Sequence, residues 1–536
     1  MAKSKKLLQS PMLEIMIMVV TVAVSFIALF IIGAFEGEVA EGAMSVTSIT
    51  WIQIAFFLLS LAIAFLGVIA GIGGGVIFTP VMLAFTTLDS VMIRGAGLVV
   101  AMFSGLISTG ILIKKGMVNY RLCIVLTISQ ALGALFGSTA ALALAEGAGA
   151  AGEGIMRAVL GLILAGLGVY FIKGGAKMAN PVVNKVDKFT TSLKMDGTYY
   201  EESEGKMRTY KVKGAPLGLV LVLVVGFIGG FFGMGGGWAI TPTLNMAMGI
   251  PLKLAAANSG TILGIGSCVS IWPYIFDGAL IPLFILPWLA GQVVGGFIGS
   301  YVLAKIKVAT VRLILIGIMF FTAYGLVFKG LNKLGVAPQI VDKLITNEAQ
   351  IAMFVVIIGA TIASIILQNA KAKKAAVPVE EKAEETVAEV AATEEKKEVI
   401  VPIAPSERIY ANIIHWVTIA SCVLALIAPV IILLNPSNNI LDPSAIFDMI
   451  FAGATPDEVW ATATTGGFPG AHYYFSLFSS ADSWAQIALN LGCSVGLWAL
   501  IPASIRQLTK EKSPLYGILG LVLAALIVLA MIGVLA

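Results

Sequence analysis

The sequence predicts an all-α polytopic membrane protein, and three observations predict it. Hydrophobic residues make up 58% of the 536-residue chain and charged residues 12%, with a mean hydropathy of +0.97, which suits a chain whose solvent is largely lipid. Apolar stretches of the ~20 residues needed to cross a bilayer recur along the whole length. The polar segments between them alternate between basic and acidic, as loops on the two faces of a membrane do.

In chain order, full spans are expected near 12–34, 91–113, 121–145, 154–173, 255–276, 280–303, 310–328, 350–369, 410–434, 485–503 and 515–536. The first follows a basic start, MAKSKK, but its apolar run exceeds the ~7–15 residues of a signal-peptide core and reads as an uncleaved span. Two longer segments, 51–88 and 215–250, contain glycine breaks. Residues 174–214 form a polar connection, and 370–408 is an Ala, Glu, Lys and Val tract with the composition of a disordered tether. The expected organisation is therefore a span and external loop (1–49), a first transport repeat (50–173), a cytoplasmic loop (174–213), and a second repeat with a closing span (214–369). The linker (370–408) and a C-terminal three-span module (409–536) follow. Because that linker reads as a tether, a chain cut after about Lys374 is expected to leave a folded core.

Charge sets the orientation. MAKSKK, KKGMVNYR (114–121), the 174–214 loop, KIKVATVR (305–312), KAKK (371–374) and RQLTKEK (506–512) are basic and assigned to the cytoplasm, whereas 35–50, 146–153 and 435–484 carry acids without bases and are assigned outside. The N-terminus is then cytoplasmic and the C-terminus external. The scheme closes only if each glycine-broken segment enters and leaves on one face, as a re-entrant hairpin. One loop departs from the charge rule: 329–349 is assigned outside yet holds Lys329, Lys333 and Lys343.

The two broken segments are related. FLGVIAGIGGGVIFTP (65–80) aligns without gaps on FIGGFFGMGGGWAITP (227–242), with eight of sixteen positions identical and a constant offset of 162 residues. Three spans follow each copy, in opposite orientations, which is an inverted-topology repeat about an axis in the membrane plane. Backbone left unpaired at membrane depth costs several kcal/mol per group unless it is buried or lines a wet cavity, so a chain that breaks two spans in this way is expected to use those groups. Thr79–Pro80 and Thr241–Pro242 read as an N-cap followed by the first residue of a half-helix, and Gly249 with Pro251 as the exit of the second. Two half-helix N-termini pointing at the midplane, beside glycine amides, describe an anion site.

At these residues the sequence resembles the sulfite exporter TauE/SafE family of small-anion permeases, whose Gly-rich GxGGG, short apolar stretch and Pro match Gly71 to Pro80 and Gly233 to Pro242. The resemblance covers about 50–369. It implies transport of sulfur oxyanions, organosulfonates or related small anions, commonly outward. The first span, the linker and the last three spans are additions to that core.

The expected substrate-binding residues are Gly73, Gly74, Gly75 and Thr79 in the first copy and Gly235, Gly236, Gly237 and Thr241 in the second. Asn258 and Ser259 open the span after the second copy; helix-to-helix hydrogen bonding is an equal alternative for them. Arg94 opens the span after the first copy, as an electropositive lure or as an interfacial anchor. The four cysteines lie singly without metal-ligand spacing, and neither His415 nor His472 falls in the repeats, so no metal or cofactor is expected. No Walker sequence, catalytic carboxylate pair or nucleic-acid surface is present. The expected partners are a small inorganic or organosulfur anion and the lipid bilayer, with a homo-oligomer compatible. A secondary exporter of sulfite or related anions is the leading reading; a small-anion channel and a membrane-embedded subunit without transport are the alternatives.

Overall fold

The computed structural model describes residues 11–39, 43–174, 181–202, 205–306, 308–376, 403–463 and 467–535. The first half comprises α1 (Pro11–Ala34), α2 (Val46–Ala70), α3 (Gly75–Phe85), α4 (Ser90–Lys114), α5 (Tyr120–Gly174), a short α6 (Lys188–Ser192) and a hairpin of β1 (Gly197–Glu201) and β2 (Lys206–Tyr210). Then come α7 (Ala215–Phe231), α8 (Gly237–Pro242) continued by a π-helical turn over Thr243–Ala247, α9 (Leu252–Ser270), α10 (Trp272–Phe276), α11 (Pro282–Lys305), α12 (Val308–Lys333), α13 (Pro338–Leu344) and α14 (Asn347–Ala376). The C-terminal part holds α15 (Pro405–Leu434), α16 (Ile446–Ala452), α17 (Pro456–Ala463), α18 (Ala481–Cys493), α19 (Val495–Thr509) and α20 (Pro514–Met531). Among the described residues nine helices are long and apolar enough to cross a membrane. The protein is an all-α, multi-pass membrane protein.

Small residues determine how these helices pack. Without a hydrophobic drive between helices in lipid, close approach depends on positions that lack bulk. Gly291, Gly295 and Gly299 of α11 lie against the carbonyls of Phe57, Leu61 and Phe65 of α2, so these two helices run parallel in contact. Gly133 and Gly137 of α5 lie in the same way against the carbonyls of Leu223 and Phe227 of α7. At the centre α4 crosses α9 in antiparallel fashion, with Gly105 against Gly264 and the hydroxyls of Thr109 and Thr261 3.1 Å apart. Residues Met92 to Ile113 of α4 are buried throughout, which places this crossing at the core.

Three segments differ from the sequence reading. Helical hydrogen bonding continues through 146–153, where a loop was expected; Gly147, Gly149 and Gly152 weaken a helix here, but the remaining Ala and Glu residues favour one and no Pro stops it. Residues 174–214, expected as a plain connection, contain α6 and the antiparallel β1–β2 pair, in register Gly197 to Tyr210. This cap is tied down by Asn119 Nδ2, which donates to the Met195 carbonyl at 2.5 Å and Tyr210 Oη at 2.9 Å, and by the buried Lys253–Glu201 ion pair. The C-terminal helices pack into the core: α15 lies along α4 and α11, Gly492 abuts the ring of Phe103, and Gly110 abuts His415. His415 Nε2 sits 3.1 Å from Glu14 Oε2 on the first span, joining the two additions. Most of the expected linker, 377–402, lies outside the described residues.

Candidate anion site where two helical hairpins cross

Each glycine motif makes the same turn. Gly71 and Gly233 close the incoming helix with φ of +67°, a left-handed backbone that only glycine adopts without penalty. The amides of Ile72 and Gly71 return to the carbonyls of Gly67 and Val68, and those of Met234 and Gly233 to Gly229 and Gly230, the hydrogen-bond pair of a Schellman stop. Gly73 and Gly235 also have positive φ. The outgoing half-helices then begin at Gly75 and Gly237, with Gly74 and Gly236 as N-caps.

That start corrects one sequence expectation. Thr79 and Thr241 do not cap the half-helices but lie inside them, as do Pro80 and Pro242. Their hydroxyls are used across the interface. Thr79 Oγ1 donates to the Gly233 carbonyl at 2.7 Å, and Thr241 Oγ1 donates to the Gly71 carbonyl at 2.6 Å. Each hairpin's turn carbonyl, left over by the glycine stop, is satisfied by the other hairpin.

The remaining contacts are equally reciprocal. A side chain at Gly75 would strike the Met234 carbonyl, and one at Gly237 the Ile72 carbonyl; Gly73 touches Leu263 where Gly235 touches Ala101; Gly71 rests on Ala256 where Gly233 rests on Arg94. In each pair the partners exchange by the offset of 162 residues seen in the sequence. Gly97 backs the first crossing so closely that a methyl there would overlap both the Thr79 hydroxyl and the Gly233 carbonyl.

All eight motif residues expected at the site therefore come together. The amides of Gly75, Val76, Gly237 and Trp238 belong to first turns, which have no intrahelical acceptor. The Gly74 amide donates to Ser104 Oγ at 3.2 Å; the position equivalent to Ser104 is Gly266, so the second tip has no such hydroxyl. Two glutamines missing from the sequence-based set are also here. Gln292 Oε1 lies against Gly74, and Gln130 packs between Gly236 and Gly266. Both are fully buried, and among the described residues the Gln130 amide and Gln292 Oε1 have no hydrogen-bond partner. They too are separated by 162 residues, so extending the repeat register past the glycine motif finds them.

The other three expected residues divide. Asn258 is committed elsewhere: its Oδ1 accepts from the Asn119 amide at 2.8 Å and its Nδ2 donates to the Leu254 carbonyl at 2.7 Å, which fastens the α4–α5 turn. Ser259 is fully buried, its Oγ unpartnered among the described residues, and it occupies the position equivalent to Gly97. Arg94 is only 3% exposed, so it does not snorkel. Its backbone supports the Gly233 turn, its Nη2 lies 3.8 Å from Met156 Sδ, and its Nη1 has no hydrogen-bond partner among the described residues. Beside the first tip, between Gly71, Ser104, Ser108 and Ala256, the open volume is about 10 Å³, roughly one water molecule. The crossing is shut in this conformation.

The family model for the sulfite exporter TauE/SafE family matches residues 55–326, which brackets both hairpins and the helices that hold them. The chain belongs to the TauE/SafE family. A relative named "Probable membrane transporter protein YunE", from Bacillus subtilis (strain 168), is 25% identical over 272 residues, covering 49% of this chain and 93% of the relative. A second family model covers residues 407–534, the helices added to the TauE/SafE core. No solved structure matches the chain. Family and relative together make this protein a membrane transporter of the TauE/SafE type.

Proposed function

We propose that the protein is a secondary transporter that exports small oxyanions, sulfite or related sulfur oxyanions and organosulfonates. In this reading the anion binds where the two hairpins cross, against the first-turn amides of both half-helices. The observation that carries the proposal is the reciprocal bonding of Thr79 to Gly233 and Thr241 to Gly71, which brings two helix N-termini to one buried place. Helix N-termini attract anions through their unpaired amides and dipoles, and low surrounding polarity strengthens that attraction. The reciprocity and the parallel packing of α2 with α11 and of α5 with α7 support an inverted-topology repeat. Since the crossing is shut, an anion enters only when the hairpins part, toward one face or the other, as alternating access requires.

Reconstituted protein in liposomes tests this. With sulfite trapped inside, labelled sulfite added outside should accumulate transiently above equilibrium, the counterflow of a carrier. Labelled sulfite that merely equilibrates, without saturation, supports a channel instead, and an absence of any sulfite flux rejects the proposed substrate.

A further inference from the structure

Of the three lysines that break the charge rule at 329–349, Lys329 and Lys333 border a cavity, while Lys343 is exposed elsewhere. Together with Arg157 of α5, Lys329 and Lys333 line a cavity of about 510 Å³ formed where α3 ends, α4 begins and α12 ends, which Gly453 also borders. The packing of α5 on α12 produces this grouping: Gly154 meets the Lys333 side chain and the Gly330 carbonyl, and Gly330 meets the backbone of Ala158. The one acid in the lining is Asp89, whose Oδ1 already accepts from the Val91 and Met92 amides to cap α4. Every lining segment comes from the end of the helices assigned to the outer face.

Behind the cavity stands Arg94. Its guanidinium reaches Met156, the neighbour of Arg157, while its backbone supports the Gly233 turn at the hairpin crossing. Its Nη1 is buried without a hydrogen-bond partner among the described residues, and a buried cation left in that state is costly. The cationic cavity and the hairpin crossing are thus joined by one residue.

We infer that this cavity is a second anion-binding site, an outer vestibule that takes a small doubly charged oxyanion and exchanges it with the crossing past Arg94. The inference rests on the proposed transport function, and it accounts for two of the three lysines, Lys329 and Lys333, in a segment where the charge rule disfavours them. By microscopic reversibility the vestibule serves an anion leaving the crossing as well as one approaching it. With three cations against the single acid Asp89, the lining is net cationic, and such a cavity raises the local concentration of anions.

Lysine labelling of the full-length protein tests the vestibule without relying on transport. Sulfate is the probe, being inert toward acetylating reagents. At twice its dissociation constant, sulfate should slow acetylation of Lys329 and Lys333 roughly threefold relative to chloride at equal ionic strength, because protection grows as one plus ligand over Kd. Exposed Lys343 should not change, and the protection should persist in Gly236→Val, which alters only the crossing. Equal acetylation rates in sulfate and chloride would overturn the vestibule. A flux arm separates the two ideas: Lys329→Gln with Lys333→Gln should cut sulfite flux at sub-saturating concentration about tenfold, with a weaker salt dependence. Unchanged flux and salt dependence in that variant would also overturn the vestibule. Normal flux in Gly236→Val, with sulfate protection intact, would instead remove the crossing site and leave the vestibule standing.

Discussion

Thr241 donates its hydroxyl to the carbonyl of Gly71, 170 residues away in the chain, at 2.6 Å. The bond holds the tip of one hairpin against the body of the other, and Thr79 repeats it toward Gly233 at 2.7 Å. Removing either hydroxyl leaves a buried carbonyl unsatisfied, at a cost of about 1–3 kcal/mol. We therefore expect Thr79→Val and Thr241→Val each to lower stability by that amount in detergent denaturation. The two changes act on one interface, so the double variant should be non-additive. Strict additivity would mean that the two bonds are energetically independent.

Gly97 gives a stricter test of the same crossing. Because a methyl at this position would overlap both the Thr79 hydroxyl and the Gly233 carbonyl, Gly97→Ala should force the hairpins apart and cost more than either threonine variant. Ser259→Ala, at the equivalent place in the other repeat, removes only an unpartnered hydroxyl and should leave stability unchanged. If sulfite affinity nevertheless falls in Ser259→Ala, the hydroxyl contacts the anion; unchanged affinity assigns Ser259 to packing.

Much of this was legible in the sequence, for physical reasons that differ by residue. A Gly triplet inside an apolar run, repeated with Thr-Pro behind it, has few backbone explanations, so the breaks and their pairing could be read directly. The start of the half-helices could not. Thr79–Pro80 looks locally like a cap, but the partner of the hydroxyl is a carbonyl on the opposite hairpin, and tertiary bonding overrode the local pattern. Asn258 misled in the same way, since its partner Asn119 lies far off in sequence. Gln130 and Gln292 fall outside the aligned motif and show their relation only when the offset is carried further. The β1–β2 pair escaped notice because two five-residue strands between charged residues carry little pattern.

The cap formed by α6 and the β1–β2 pair should respond to acid. Hydrogen bonds from the hydroxyl and amide of Thr190, and from the Gly214 amide, hold the Asp187 carboxyl below the usual carboxylate range. A carboxylate depressed in the folded state contributes stability above its unfolded pKa of about 3.9, and loses that contribution as pH falls through the folded value. Hydrogen exchange across 187–215, corrected for intrinsic rates, should therefore quicken below about pH 4. Asp187→Ala should show the faster exchange already at neutral pH. Identical exchange in the variant and the wild type would mean that this carboxylate does not hold the cap.

Composition suggested that the C-terminal helices could be cut away, but the contacts argue otherwise. Truncation after Lys374 would expose Phe103 and Gly110 of the central helix α4 and strip Glu14 of its His415 partner. We expect the truncated chain to aggregate or to lose its monodisperse peak on size exclusion. A monodisperse truncated core that still binds sulfite would show that these helices are dispensable.

The most direct test of the central claim is sulfite affinity after a change at Gly236. A side chain there meets chiefly the flexible end of Ile240, and its φ of −92° is open to any residue, so Gly236→Val should fold, whereas Gly74→Val would strike Gln292 and Val100. Calorimetry on purified, monodisperse protein should find sulfite binding in the wild type and none in Gly236→Val, because the new side chain covers the second half-helix N-terminus. Wild-type affinity in monodisperse Gly236→Val would contradict an anion site at the hairpin crossing.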